Sequence, residues 1–162
     1  MTVARKARIF WPIVLLLLLA DCSTKDLAVT HLVPWVPEQV VGDVFRFTLA
    51  YNPRAAMSIS FGENSRLIIS MIALIEIAIL GYLYRQSDNR ETLKVVALGL
   101  VIAGALGNLV DRIRSPRGVV DFIDVGVGSL RFWTFNVADI GVSIGAILLA
   151  WQLSKAEHPE PI

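Results

Sequence analysis

Cysteine and histidine are nearly absent from this chain, and charge is scarce. A single cysteine, Cys22, excludes an internal disulfide and leaves the redox compartment open. The two histidines, His31 and His158, have no cysteine or second histidine at ligand spacing, so neither suggests a metal centre. Charged residues fill 18% of the 162 positions, against about 25% in an ordinary soluble domain. The net charge is +1 and no basic stripe runs along the chain, so nothing points to a nucleic-acid partner. Hydrophobic residues fill the gap at 55%, which is the balance of a membrane protein.

The apolar residues gather in four stretches, at about 9–29, 67–84, 93–110 and 132–153. Each is near the ~20 residues that cross ~30 Å of hydrocarbon at 1.5 Å per residue. The expected fold is an α-helical membrane protein with four transmembrane helices, forming one polytopic domain over 1–162. Two links have a different texture, about 30–66 and 111–131. In the first, Pro34, Pro37 and Gly42 mark turns; then Phe45, Phe47, Leu49 and Tyr51 alternate with Arg46, Thr48 and Ala50. That period of two predicts a strand with one apolar face, expected either to lie over the outer leaflet beside the acids or to seat a structural platform. In the second, 119–125 and 130–135 flank Gly126-Val127-Gly128-Ser129 as a short hairpin. An even number of crossings puts both links on one side. Arg5, Lys6 and Arg8 before the first span favour cytoplasmic termini and extracytoplasmic links. Eight basic residues from Lys25 to Arg131 then fall outside, several of them beside acids.

Two copies of one pattern end up at the same depth in this topology. Asn108-Leu109-Val110-Asp111 closes the third span, and Asn136-Val137-Ala138-Asp139 opens the fourth. An Asp at a helix centre in the bilayer costs roughly 2.5–3.5 kcal/mol, so two at one face read as a site. Neighbouring carboxylates share a proton and titrate as a pair. The ionised member takes a proton from water while the protonated one polarises a carbonyl, as in an aspartyl hydrolase. The plainer alternative is a pair of helix-end acids bridged to Arg112 and Arg114. Asn108 and Asn136, one turn before the acids, are expected to orient them. Asp21 and Lys25, spaced i, i+4, are expected to brace the site and orient substrate. Arg112 and Asp121 form a similar scaffold, and Asp124 reads as a solvated hairpin acid.

At these residues the chain resembles the lipoprotein signal peptidases (signal peptidase II), bacterial membrane aspartyl proteases. Asp21-Cys22-Ser23-Thr24-Lys25 is similar to the family's D-x-x-(S/T)-K, and Asn52 with Ala55-Ala56 to N-x-G-x-A-F. Gly107 to Arg112 fits G-N-x-x-D-R, Val120-Asp121-Phe122 fits V-D-F, and Phe135 to Asp139 fits F-N-x-A-D. Arg54 and Met57 depart from the usual Gly and Phe. The resemblance implies Asp111 and Asp139 as the catalytic dyad, with Asp21, Lys25, Asn52, Asn108, Arg112, Asp121 and Asn136 supporting the site or substrate. It implies a monomer in the bacterial inner membrane, among membrane lipids. The substrate would be a prolipoprotein, cut before a cysteine that carries a diacylglyceryl group, with no cofactor and no metal. Two other readings stand beside it. One is a small transporter or proton-relay subunit. The other is a lipoprotein precursor with Cys22 as its lipid attachment site, disfavoured by Asp21 before the cysteine and by three further spans after it.

Overall fold

The computed structural model describes residues 4–53 and 64–157. Arg54, Ala55, Ala56, Met57 and His158 lie outside the described residues. Among the described residues, four helices are long and apolar enough to cross a membrane: α1 Arg5–His31, α2 Ser65–Gln86, α3 Thr92–Arg114 and α4 Val137–Glu157. In hydrocarbon a backbone must satisfy its own hydrogen bonds, so long apolar runs settle as helices. The helix α3 is central, with 61% of its apolar window buried against 17% or less in the others. Its glycines let neighbours approach closely: a Cβ on Gly104 would run into the Ala138 carbonyl and the Val142 side chain of α4. Phe10 and Val14 of α1 pack with Val95, Ile102 and Ala103 of α3, and Phe10 stacks on Tyr84 of α2 with ring centroids 3.9 Å apart. Outward faces of α1, α2 and α4 carry exposed Leu, Ile and Trp, as contact with lipid requires.

Basic side chains close two helix C-termini, whose last carbonyls lack intrahelical partners. The Lys6 ammonium donates to the carbonyls of Tyr84, Arg85 and Ser87 at 3.3, 2.9 and 2.7 Å, ending α2. Arg66, at the start of α2, donates to the carbonyls of Arg112 and Ile113 at 2.6 and 3.1 Å, ending α3.

An antiparallel sheet sits at the end of the bundle where α3 stops and α4 starts. Its order is β1 (Glu38–Val41), β2 (Phe45–Asn52), β3 (Val119–Val127), β4 (Leu130–Arg131). The expected strand and hairpin are both present, and pairing of β2 with β3 joins the two links into one platform. Several expectations change here. The register of β2 shifts between Phe47 and Ala50, so Leu49 and Ala50 are both buried and the period of two breaks. Leu49, 1% exposed, packs with Ala28, Val120 and Phe122, which seats this part of the strand on α1 and β3. Asp124 is buried, not solvated: it accepts from Arg131 Nε at 2.5 Å, Thr48 Oγ1 at 2.8 Å and Arg46 Nε at 3.1 Å. Burial raises its pKa, but these donors outweigh that and hold it below the usual carboxylate range. Finally, 132–136 is extended rather than helical, because Phe135 exchanges backbone hydrogen bonds with Ile123 at 2.8 and 3.0 Å.

Candidate active site

Lys25 is the hub of a polar cluster where α1, the end of α3, the start of α4 and the sheet meet. Its ammonium is 4% exposed and has three donors. Three acceptors meet them: Asp21 Oδ2 at 2.8 Å, Asp111 Oδ2 at 2.9 Å and Asn108 Oδ1 at 3.0 Å. Asp21, one turn earlier on α1, turns its other oxygen to the N–H of Ala138 at 2.9 Å. That amide belongs to the first turn of α4, which has no intrahelical acceptor, so α1 pins the start of α4. Gly107 provides the space, since a Cβ there would collide with the Asp21 carboxylate.

The two expected catalytic acids come from different helices into one hydrogen-bonded unit. Asp111 also accepts the Val120 N–H at 3.1 Å. Asp139 accepts Asn108 Nδ2 at 2.8 Å on one oxygen and the Asn136 N–H at 3.1 Å on the other. The Asp139 N–H returns to Asn136 Oδ1 at 3.0 Å, so Asn136-x-x-Asp139 is a reciprocal cap on α4. Asn136 is fully buried, and its Nδ2 reaches Asp121 Oδ1 at 2.7 Å and Asn108 Oδ1 at 3.1 Å. Both Asn were expected to orient the acids: Asn136 meets the acid on its own helix, and Asn108 crosses to Asp139 while Asp111 is turned toward Lys25. The path Asp111–Lys25–Asn108–Asp139 is continuous.

The remaining expected residues frame this unit. Arg112 donates to the Asn108 carbonyl at 3.1 Å and stands in the field of Asp121, Asp139 and Asp111. Among the described residues, Lys25 is at ion-pair distance from Asp111. Asp121, on β3, is 4% exposed. Burial, and then the nearby Asp139 carboxylate, push its pKa up to about 7 against hydrogen bonds from Asn136 and Asn52. That bond also brings Asn52, at the end of β2, to the site. Among the described residues no group of three or more His, Cys, Asp or Glu is placed to hold a metal ion. What the arrangement offers is a pair of supported carboxylates, with Asp111 partly open at 17% side-chain exposure. Two contributors had no signal in the sequence, the backbone amides of Val120 and Ala138, because every residue has one. Gly107 did have a signal, as the residue before Asn108 in the first Asn-x-x-Asp pattern.

The fold is that of a bacterial membrane enzyme. Two solved structures, described as bacterial membrane enzyme structures determined by the in meso method, superpose with TM-scores of 0.83 and 0.77. Both are 30% identical in sequence; the first match covers 92% of this chain and 89% of that one, the second 87% and 89%. The model of the Signal peptidase (SPase) II family matches residues 13–155. The lipoprotein signal peptidase of Hydrogenovibrio crunogenus is 39% identical over 83% of this chain and 78% of its own length. That of Pseudomonas putida is 38% identical over 90% and 86%, and that of Moorella thermoacetica 36% over 89% and 91%. The chain belongs to the signal peptidase II family, and it is a membrane protease. Neither the transporter reading nor the Cys22 lipoprotein reading is favoured by these relatives, and Cys22 lies inside α1.

Proposed function

We propose that this chain removes signal peptides from prolipoproteins whose cysteine carries a diacylglyceryl group, with Asp111 and Asp139 activating the attacking water. The single observation that carries the reading is the continuous tie from Asp111 through Lys25 and Asn108 to Asp139, at the ends of two spans. In this mechanism one Asp takes a proton from water as the water oxygen bonds to the scissile carbonyl carbon, and the other donates a proton to the carbonyl oxygen. Collapse of the intermediate breaks the C–N bond, and the proton goes to the departing cysteine nitrogen. Lys25, Asn108 and Asn136 hold the acids in place; Asp21, Arg112, Asp121 and Asn52 hold those residues or meet substrate.

The chain works as a monomer in the bacterial inner membrane, surrounded by lipid, with cytoplasmic termini and the site near the outer face. Arg5, Lys6 and Arg8 support that orientation. Four of the eight basic residues at the other end are held within the fold: Lys25, Arg46 and Arg131 are ion-paired and Arg66 caps α3. The test is cleavage by the purified enzyme of a precursor with and without the diacylglyceryl group. Release of the signal peptide from the lipidated form alone is expected. Equal cleavage of both, or of neither, overturns the reading.

A further inference from the structure

Glu76 takes no part in the acid cluster, yet it is an acid inside a span. It stands near the middle of α2, about 16 Å from Ser65 and about 15 Å from Gln86 along the helix. Within 67–84 it is the one charged residue, and 9–20, 95–107 and 140–153 of the other spans hold none. Its side chain is exposed, and among the described residues no hydrogen bond or ion pair reaches it. Acids within a span ordinarily face the bundle interior or a water-filled cavity, because hydrocarbon offers a carboxyl group no partner. Glu76 lies too deep for its short side chain to reach the interface. The rest of α2 shows on which side a partner is missing. Ile77, Leu80 and Tyr84 pack on the core formed by α1 and α3, yet only 6% of the apolar window of α2 is buried. Ile72, Glu76, Ile79 and Leu83 follow one another at spacings of four, three and four, and all four are exposed. That is the 3.5-residue period of a seam between two helices.

We infer that this seam is the surface on which two copies of the chain associate, α2 against α2, with the two Glu76 side chains paired at its centre. Copies inserted in one membrane share one orientation, so the two-fold axis between them runs along the membrane normal. Each seam residue then meets its own counterpart at the same depth. That symmetry lets a single acid supply both halves of the contact. In its acid form a carboxyl group has one O–H donor and an acceptor oxygen, so two of them facing each other are satisfied without any other residue. No Lys or Arg lies at this depth in any span, which leaves carboxyl-to-carboxyl pairing as the contact a second copy offers. Ile72, Ile79 and Leu83 pack as the apolar positions of the seam, and one polar residue among them fixes the register of the two helices. Catalysis stays within the single chain: the acids stand on α3 and α4 and are held from α1 and the sheet, so association leaves each site complete.

The test is energy transfer between donor-labelled and acceptor-labelled full-length chains in phosphatidylcholine vesicles, diluted stepwise with lipid. The wild type should transfer energy and lose it as dilution separates the copies. Glu76→Leu keeps an apolar span and should associate about three- to tenfold more weakly. Glu76→Gln, whose amide also donates and accepts, should associate as the wild type does. Leu74→Ala, exposed on α2 but on the side away from the seam, should do the same. A second measurement uses single cysteines in a Cys22→Ala background, oxidised in the same vesicles. Ile79→Cys should cross-link copy to copy and Leu74→Cys should not. That pair retains Glu76, so it decides the matter however Glu76→Leu folds. A wild type without energy transfer at any dilution overturns the inference. So does Glu76→Leu that associates as tightly as wild type, or cross-linking through Leu74→Cys in preference to Ile79→Cys.

Discussion

Lys25→Met removes a cation that joins α1 to both α3 and the acid pair, while keeping a flexible side chain of similar length. In the folded protein the ammonium bridges Asp21 and Asp111 at 2.8 and 2.9 Å and is nearly sealed from solvent. Without it, among the described residues, Asp21 retains the Ala138 N–H and Asp111 the Val120 N–H, each a neutral donor to a carboxylate. Stripping one partner from a buried ion pair costs about 3–5 kcal/mol. A domain of this size has about 5–15 kcal/mol in total and loses roughly 2–4 °C of Tm per kcal/mol. The variant should therefore melt about 6–20 °C below wild type in detergent, followed by tryptophan fluorescence. The double variant Asp21→Asn/Lys25→Met should recover much of the stability, because Asn still accepts the Ala138 N–H and one stranded charge is gone. It should not recover cleavage, because Asp111 still lacks its cation. A Lys25→Met protein that melts within about 2 °C of wild type would refute the reasoning.

Other perturbations reach different parts of the same framework. The folded pKa of Asp121, about 7, lies above the ordinary value of 3.8, so folding favours the protonated carboxyl. Its stabilising contribution is complete below the ordinary value and is lost as pH rises through about 7. Wild type should then lose stability from pH 5 to pH 8 relative to Asp121→Asn, and parallel melting curves across that range would contradict this. Gly107→Ala drives a Cβ into the Asp21 carboxylate and should cost about 1–3 kcal/mol and lower kcat. Gly81→Ala, which meets nothing within 4 Å on α2, should be neutral or stabilise by up to about 1 kcal/mol in the same melts. Lys6→Met deprives the end of α2 of its cap and should destabilise by about 1 kcal/mol with kcat unchanged. A fall in kcat for Lys6→Met would mean that the far end of the bundle is coupled to the site.

What was legible in the sequence is what depends on neighbours along the chain. Hydropathy marks the four spans, the alternation from Phe45 to Tyr51 marks β2, and Gly126 to Ser129 marks the hairpin. The Asn-x-x-Asp repeat marks the acids, and the i, i+4 spacing of Asp21 and Lys25 marks their ion pair. Contacts across the chain were not legible. Pairing of β2 with β3 buries Leu49 and delivers Arg46 to Asp124, which turns a hairpin acid into a buried one. Phe132 to Asn136 is apolar enough for a span, but Ile123 captures Phe135 as a bridge and Asn136 starts the helix. The geometry of α3 against α4 sends Asn108 to Asp139, which periodicity on a single helix has no means to express.

The most direct measurement is single-turnover cleavage of a lipidated precursor by Asp111→Asn, Asp139→Asn and the double variant, each confirmed folded by its melting curve. If the two carboxylates act on one water, either single change abolishes cleavage, by about a thousandfold or more, and the double variant is no worse than the singles. A single variant that keeps a tenth or more of wild-type turnover, or losses that multiply in the double variant, would contradict a shared catalytic role for Asp111 and Asp139.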